Sequence, residues 1–241
     1  MKKMQPRKPY KQKTYKRKKR KSPILLFLCL LLLVGGVWAI ANTGDFLSDS
    51  PIQDVFHSEQ SQQSFGQEAN KYLEKNNPTD NHYPLNLQTD ERWSEVPYGD
   101  NTLGVNGCAI ASLSMILSEV EGRSVEPTEI LDWSHDAYFV DGAGTSWNIF
   151  ADFASYYGLP FQNLDNSIDA ALNYLEQGIP VVVSVSPGEF TDTGHIMILS
   201  SCHEGQIKVY DPNDTPEKNH YKEDYSIDQI ASQVINYWVY A

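Results

Sequence analysis

Disulfide chemistry has little to work with in this sequence. Its 241 residues hold three cysteines, and one of them, Cys29, sits inside an apolar run. Only Cys108 and Cys202 remain, which excludes the multi-bridge framework of small secreted scaffolds. Any domain here must stand on its own apolar core, and the length suffices for one compact domain with appendages. Acidic residues are missing from the first 22 positions, which carry 12 Lys or Arg. The other 7 basic residues face 31 acidic ones, so the net charge of -12 is a tail of +12 on a remainder of -24. Internal repeats are absent, which excludes solenoids and propellers. No glycine-rich phosphate loop is present, and no second long apolar run follows the first.

That one run, Ile24 to Ala41, is 18 residues without a charge. Crossing a bilayer as a helix takes about 20 apolar residues. Residues 23–41 are therefore read as a single transmembrane anchor. The basic flank before it, and Asp45, Asp49 and Asp54 after it, put the N-terminus in the cytoplasm. Ala39-Ile40-Ala41 is also an A-x-A pattern, so a cleaved signal peptide stays open. Phe27 and Leu28 precede Cys29 where a lipoprotein cleavage site needs small residues, so Cys29 reads as lipid-facing. Residues 1–22 then form a cytoplasmic polybasic tail that sets topology and attracts anionic lipid, not nucleic acid. Residues 42–83 are rich in Ser, Gln, Asn and Asp and read as a flexible extracytoplasmic stalk. Such a tether spans about 35 Å. A short helical pattern from Gln67 to Lys75, through Ala69, Tyr72 and Leu73, interrupts it.

Residues 84–241 are the folded domain. Leu85 to Gln88 alternates like a short strand, and Val96 to Asn101 is a turn-rich loop. Helical spacing predicts helices from Cys108 onward, over Pro127–His135, over Trp147–Tyr157 and over Ser167–Gln177. Ser146 is the expected N-cap of the third, and Gly158 and Gly178 are expected stops. β-Branched runs then predict strands at Pro180–Ser186, His195–Ser201, Gln206–Tyr210 and Val234–Tyr240. Helices first and an antiparallel sheet second make an α+β domain.

Gly107 delivers Cys108 onto the first residue of a helix whose Ala109, Leu113, Ile116 and Leu117 share a buried face. Unpaired N–H groups and the helix dipole favour a negative charge there. Such a site lowers a thiol pKa from about 8.5 and raises the thiolate fraction. Six histidines are available as its partner. His57 lies in the stalk, and His82, His135, His203 and His220 lie in loops or at element ends, where solvated surface is the default. His195 opens a strand beside Gly194, so a rigid element holds its ring and a glycine leaves room for approach.

The following hairpin supplies a third group. A three-residue loop at His203-Glu204-Gly205, with Gly205 left-handed, pairs Cys202 with Gln206. Asp211 then pairs with Met197 on the face of His195, about 7–8 Å away diagonally and within carboxylate reach. Asn213 falls opposite His195 and is the second choice of orienter. A two-residue turn would reverse this parity. Cys202 is placed on the opposite face, so a Cys108–Cys202 disulfide is not expected. No second ligand accompanies His195 at metal spacing, so no zinc site and no cofactor are expected. Thiol, imidazole and carboxylate together suit acyl transfer through a thioester.

These residues also stand in a familiar order. Gln88-x-Asp90-x-Arg92-Trp93 comes first, then Tyr98-Gly99, then Gly107-Cys108 with its Ser-Leu-x-Met helix. Gly144-Thr145-Ser146-Trp147, Gly178-x-Pro180-Val181, Gly194-His195 and Val209-Tyr210-Asp211-Pro212 follow. The set, from about Pro84 to Ala241, resembles the double-glycine-peptidase-like proteins, cysteine peptidase family thirty-nine of the papain-like superfamily. The resemblance implies a papain-like fold with the cysteine on the central helix and His and Asp on the sheet. It implies Cys108 as nucleophile, His195 as general base and Asp211 as orienter. Papain-like enzymes usually place an oxyanion-hole glutamine a few residues before the cysteine; here the available amides are Asn106 and, further back, Gln88. Many such peptidases process leader peptides and are fused to an ATP-driven exporter, a role not expected here without a phosphate loop or several spans.

The expectation is a bacterial, membrane-anchored, outward-facing cysteine peptidase acting on a protein or peptide. A cell-wall amidase or endopeptidase using the same triad on peptidoglycan is the first alternative, and a non-catalytic binding module of this fold is the second. The negative charge of the exported part points to a basic substrate or to avoidance of anionic wall polymers. Trp93 and Trp147 are expected to pack in the core.

Overall fold

The computed structural model describes residues 65–76 and 83–241. The polybasic tail, the apolar run 23–41 and the remainder of the stalk lie outside the described residues. Among the described residues no helix is long and apolar enough to cross a membrane.

Residues 65–76 form a helix, α1, that is not free. Phe65, Ala69 and Leu73 recur every four residues and are all buried in the main core cluster. Asn70 fastens the helix to the domain by accepting from the Leu85 N–H (2.7 Å) and donating to the Leu85 carbonyl (3.0 Å). The rings of Phe65 and Tyr72 meet Tyr221 edge-on at 5.6 and 5.4 Å. The stalk reading of 42–83 is therefore corrected over 65–76. The helix buries its stripe because a domain surface receives it.

The chain next runs through 84–87 without a strand, correcting the expectation there. It forms the hairpin β1 (Pro97–Tyr98) and β2 (Asn101–Thr102), the short helix α2 (Leu103–Asn106) and the central helix α3 (Cys108–Glu121). Every residue of α3 from Ala109 to Ser118 is buried. Its serines are satisfied: Asn86 donates to Ser114 Oγ (2.8 Å) and the Val125 carbonyl (2.8 Å), and Ser118 Oγ accepts from Val125 N–H (2.9 Å). A buried polar group needs such partners, because an unmet one costs about 1–3 kcal/mol. Helix α4 (Pro127–Ser134), the hairpin β3 (Phe139–Val140) and β4 (Gly144–Thr145), and helix α5 (Asn148–Tyr157) complete the first half. The N-cap of α5 is Trp147 and carries no side-chain capping bond, correcting the expectation of Ser146, whose Oγ only accepts from the Asn148 N–H at 3.4 Å.

Strand β5 (Gln162–Asp165), helix α6 (Ile168–Leu175), β6 (Val181–Val185), β7 (His195–His203) and β8 (Gln206–Tyr210) follow. A 3₁₀ turn (His220–Lys222), β9 (Tyr225–Ser226), α7 (Ile227–Ala231) and β10 (Val234–Val239) close the chain. Six strands make one antiparallel sheet in the order β5-β10-β6-β7-β8-β9. The sheet is buried on both faces. Val182, Ile196, Ile198 and Tyr210 face the α3 side, while Val181, Val183, Met197 and Leu199 face α6 and α7. That explains why β6 reads as a continuous apolar run and not as an alternation. The α+β class stands, with a second helical layer that the sequence pattern did not reveal.

The β7–β8 connection departs from expectation twice. His203 pairs with Gln206, so the turn has two residues, Glu204 and Gly205, both left-handed (φ 51° and 76°). Positive φ at both positions is the type I′ geometry that suits a twisted hairpin. A two-residue turn alone would put Asp211 on the wrong face. A bulge between Leu199 and Ser201 adds one residue to β7 and restores Leu199↔Val209 and Ile198↔Tyr210. The ladder ends at Ile198↔Tyr210, and continuing it by one residue sets Asp211 opposite Met197, the predicted register. The bulge also moves Cys202 into the cluster of Met197 and Leu199, the face that alternation assigns to His195 and not the opposite one. Cys202 lies at the far end of the strand, and both it and Cys108 are free thiols.

Candidate active site

Gly107 is required by space. A Cβ there would lie 2.3 Å from the Leu103 carbonyl oxygen, which itself accepts from the Gly107 N–H at 2.9 Å. This tight turn lets α2 run almost directly into α3 and puts Cys108 at the first helical position, half-buried. Burial alone would raise its pKa. The hydrogen bond and positive charge of His195, and the N–H groups of Ile196 and Ala109, outweigh burial and lower the thiol. The Ala109 N–H belongs to the helix start, where N–H groups have no partner within the helix.

His195 opens β7, and a Cβ on the preceding Gly194 would meet nothing within 4 Å. The approach on that side is open. Ser112 of α3 donates to the Ile196 carbonyl at 3.5 Å, tying the helix to the strand one residue beyond the histidine. His195 Nε2 lies 2.6 Å from Asp211 Oδ1, which leaves Nδ1 to face the thiol. An ionised carboxylate only accepts, so Nε2 carries the proton. Burial disfavours the imidazolium, but the bond to Asp211 and the contact with Cys108 raise His195 to about 10. Asp211 is wholly buried, which should raise its pKa. Its bonds from His195 and His220 and the charge of Lys218 hold it well below the usual carboxylate range instead. Each shift favours the ionised form: thiolate at Cys108, imidazolium at His195 and carboxylate at Asp211.

Asn213, the second choice of orienter, serves through its backbone. Its N–H donates to Asp211 Oδ1 at 2.7 Å and its carbonyl accepts from Lys218 Nζ at 2.9 Å. The two candidate amides are engaged elsewhere. Asn106 Nδ2 donates to the Tyr98 carbonyl (3.1 Å) and Asp100 Oδ1 (3.2 Å), turning to the β1–β2 hairpin. Gln88 is buried, with Nε2 on the carbonyls of Gly104 (2.9 Å) and Val105 (3.3 Å), and so braces the loop leading to Cys108. Tyr98, whose carbonyl Asn106 meets, sets its hydroxyl 2.8 Å from Thr145 Oγ1. Trp93 packs in the core as expected, but Trp147 is 44% exposed and leans edge-on against Trp238 at 5.0 Å.

One residue escaped the sequence reading. His220, assigned there to solvated surface, is buried, and its Nδ1 lies 2.8 Å from Asp211 Oδ2. No local pattern marks it, because the 3₁₀ turn that carries it is placed by tertiary contacts. Among the described residues no three His, Cys, Asp or Glu side chains gather so as to hold a metal ion.

Residues 80–241 match the model of the Peptidase C39 like family. The chain belongs to that family. This C39-like chain matches no curated protein. Among solved structures it is similar to the peptidase domain of Streptococcus ComA, a bifunctional ABC transporter of a quorum-sensing pathway (17% identity, 61% of this chain and 96% of that one, TM-score 0.44). It is also similar to a double-glycine-motif protease of an AMS/PCAT transporter solved with its leader peptide (15%, 55% and 82%, TM-score 0.40). A C39-like peptidase from Bacillus anthracis is a further match (17%, 59% and 91%, TM-score 0.36).

Proposed function

We propose that this C39-like chain is a membrane-anchored, outward-facing cysteine peptidase that hydrolyses a peptide or amide bond through Cys108, His195 and Asp211. The observation that carries the reading is the convergence of a helix-start thiol, a strand-start imidazole and a buried carboxylate, the last two joined by a 2.6 Å bond. The Cys108 thiolate attacks the carbonyl carbon, and the imidazolium at Nδ1 gives its proton to the departing amine. A thioester remains on Cys108. His195, now neutral, takes a proton from water as its oxygen attacks the thioester, and the acid leaves. Asp211 keeps the proton on Nε2 throughout, so Nδ1 stays available for transfer. The helix-start N–H groups at Cys108 are the donors this reading assigns to the oxyanion. The anchor is argued from residues 23–41 and the basic flank before them, with the N-terminus cytoplasmic.

One specific observation favours a second reading, a non-catalytic binding module. Both side-chain amides near the cysteine are engaged with carbonyls, so neither is free to donate to an oxyanion. Labelling of the full chain with iodoacetamide, mapped to Cys108 with Cys108→Ser as control, separates the two. A peptidase gives rapid Cys108 labelling well below pH 8 that slows sharply in His195→Ala. Labelling that follows an ordinary thiol and ignores His195 defeats the catalytic reading.

A further inference from the structure

Asp211 is held by more than the imidazole it serves. Its Oδ1 receives His195 Nε2 (2.6 Å) and the Asn213 N–H (2.7 Å). Its Oδ2 receives His220 Nδ1 (2.8 Å), with Lys218 Nζ further off at 3.5 Å. A carboxylate oxygen offers only lone pairs, so His220 donates its Nδ1–H. The ring has little freedom to do otherwise, because Phe190 and Tyr225 pack edge-on against it at 5.2 and 6.1 Å.

The backbone beneath His220 is held as firmly. Asp214, wholly buried, accepts the N–H of His220 on Oδ1 (3.0 Å) and that of Tyr221 on Oδ2 (3.0 Å). Asn219 enters the turn left-handed at φ 53°. A second buried carboxylate thus fixes the turn that presents His220 to the first. Helix α1 closes the far side through the ring of Tyr221.

We infer that His220 is a positioning residue for the thiol hydrolase: it locks the Asp211 carboxylate in the plane that keeps His195 aligned with Cys108. The site is then a four-member chain, Cys108–His195–Asp211–His220, and not a triad. Without the Nδ1–H of His220, Oδ2 keeps only the longer Lys218 contact, and the carboxylate plane is held from its Oδ1 side alone. The 2.6 Å bond to His195 then loses its fixed direction, and the thiolate loses the partner that stabilises it. The inference rests on the thiolate–imidazole reading above, and its test separates the two.

Full-length chain is labelled with iodoacetamide from pH 5 to 9 as wild type, His195→Ala, His220→Phe and His220→Asn. Phenylalanine keeps the ring contacts without the donor, and asparagine puts an amide N–H near the position of Nδ1. The expected result is about tenfold slower Cys108 labelling at pH 6.5 in His220→Phe, equivalent to one unit of upward shift in the thiol profile. His220→Asn is expected within about twofold of wild type, since it retains a charge-assisted donor. Equal profiles for wild type and His220→Phe, with His195→Ala slow, overturn the role of His220 and leave the hydrolase reading intact. Equal slowing by Phe and Asn also overturns it, because shape and not the donor would then matter. A fast His195→Ala overturns the hydrolase reading itself. If His220→Phe does not fold, proton NMR of the wild type decides. Two strongly downfield imidazole N–H signals, one of them lost in His220→Asn, support the inference, and a single signal unaffected by that change overturns it.

Discussion

Asp211→Asn tests what the buried charge contributes: asparagine keeps the shape and the acceptor for His195 Nε2, while its Nδ2 faces His220 and gives up that bond. The imidazolium and carboxylate charge centres lie about 4 Å apart, which at an effective dielectric near 20 is worth about 4 kcal/mol. That is about 3 pKa units, enough to bring His195 from about 10 down to about 7. Lys218, 3.5 Å from Asp211, would then repel the imidazolium without compensation and push in the same direction. The ratio of thiolate–imidazolium to neutral pair falls by up to about 1000-fold, since each 1.36 kcal/mol is a factor of ten. Cys108 alkylation is the assay, read at pH 7 and at pH 10. At pH 7 the variant should label at least about tenfold slower, its thiol having lost the imidazolium partner. At pH 10 the thiol ionises without help, and the two rates should converge. Equal rates at pH 7 would refute the electrostatic argument. A variant equally slow at both pH values would show a blocked or distorted cysteine instead.

The same pair predicts a stability profile. Asp211 is held below its ordinary range in the folded chain, so its contribution is present above the unfolded value of about 3.9 and lost as pH falls through the folded one. The gap in urea midpoint between wild type and Asp211→Asn should be widest above pH 4 and narrow steadily as pH falls below it; a gap unchanged between pH 5 and pH 2 contradicts this. Gly107→Ala puts a Cβ 2.3 Å from the Leu103 oxygen, and relieving that overlap should cost about 1–3 kcal/mol. Thermal unfolding lowered by several degrees is expected, and an unchanged midpoint would mean that the turn relaxes freely. Phe65→Ala and Leu73→Ala each empty a buried site of α1 and should each cost about 2–5 kcal/mol. Urea curves identical to wild type would show that α1 does not dock.

Local periodicity carried much of the fold. Helix α6 appeared between its Ser167 cap, which accepts from Ala170 N–H at 3.2 Å, and the left-handed Gly178. Strand β8 has the expected bounds, and β6, β7 and β10 fall within two residues of theirs. Where elements are short or borrow their partners, the pattern fell silent. Strand β5 carries Gln162 and Asn163 on an edge, and β9 has two residues, so neither shows a period. The predicted register of Asp211 with Met197 was reached through a three-residue loop that does not exist. The two-residue turn and the Leu199–Ser201 bulge offset each other, so the register holds although the route to it does not.

By itself the sequence determined the parts whose causes are local. Gly107 before Cys108 sets a thiol on a helix start, Gly194 before His195 opens a strand start, and the apolar spacing of α3 buries the helix that carries the thiol. The expected order of helices followed by an antiparallel sheet comes from the same short-range rules. Only the tertiary structure decided what closes on Asp211. His220 and Lys218 reach it from an irregular turn that Asp214 holds, across a few residues that follow no helix or strand period, and α1 braces that turn from far back in the chain through Phe65 and Tyr221. Spacing encodes which face a side chain takes on its own element. It does not encode how an irregular turn folds back to supply the donor that a buried charge requires, because such a turn has no period and its shape is set by packing against the rest of the domain.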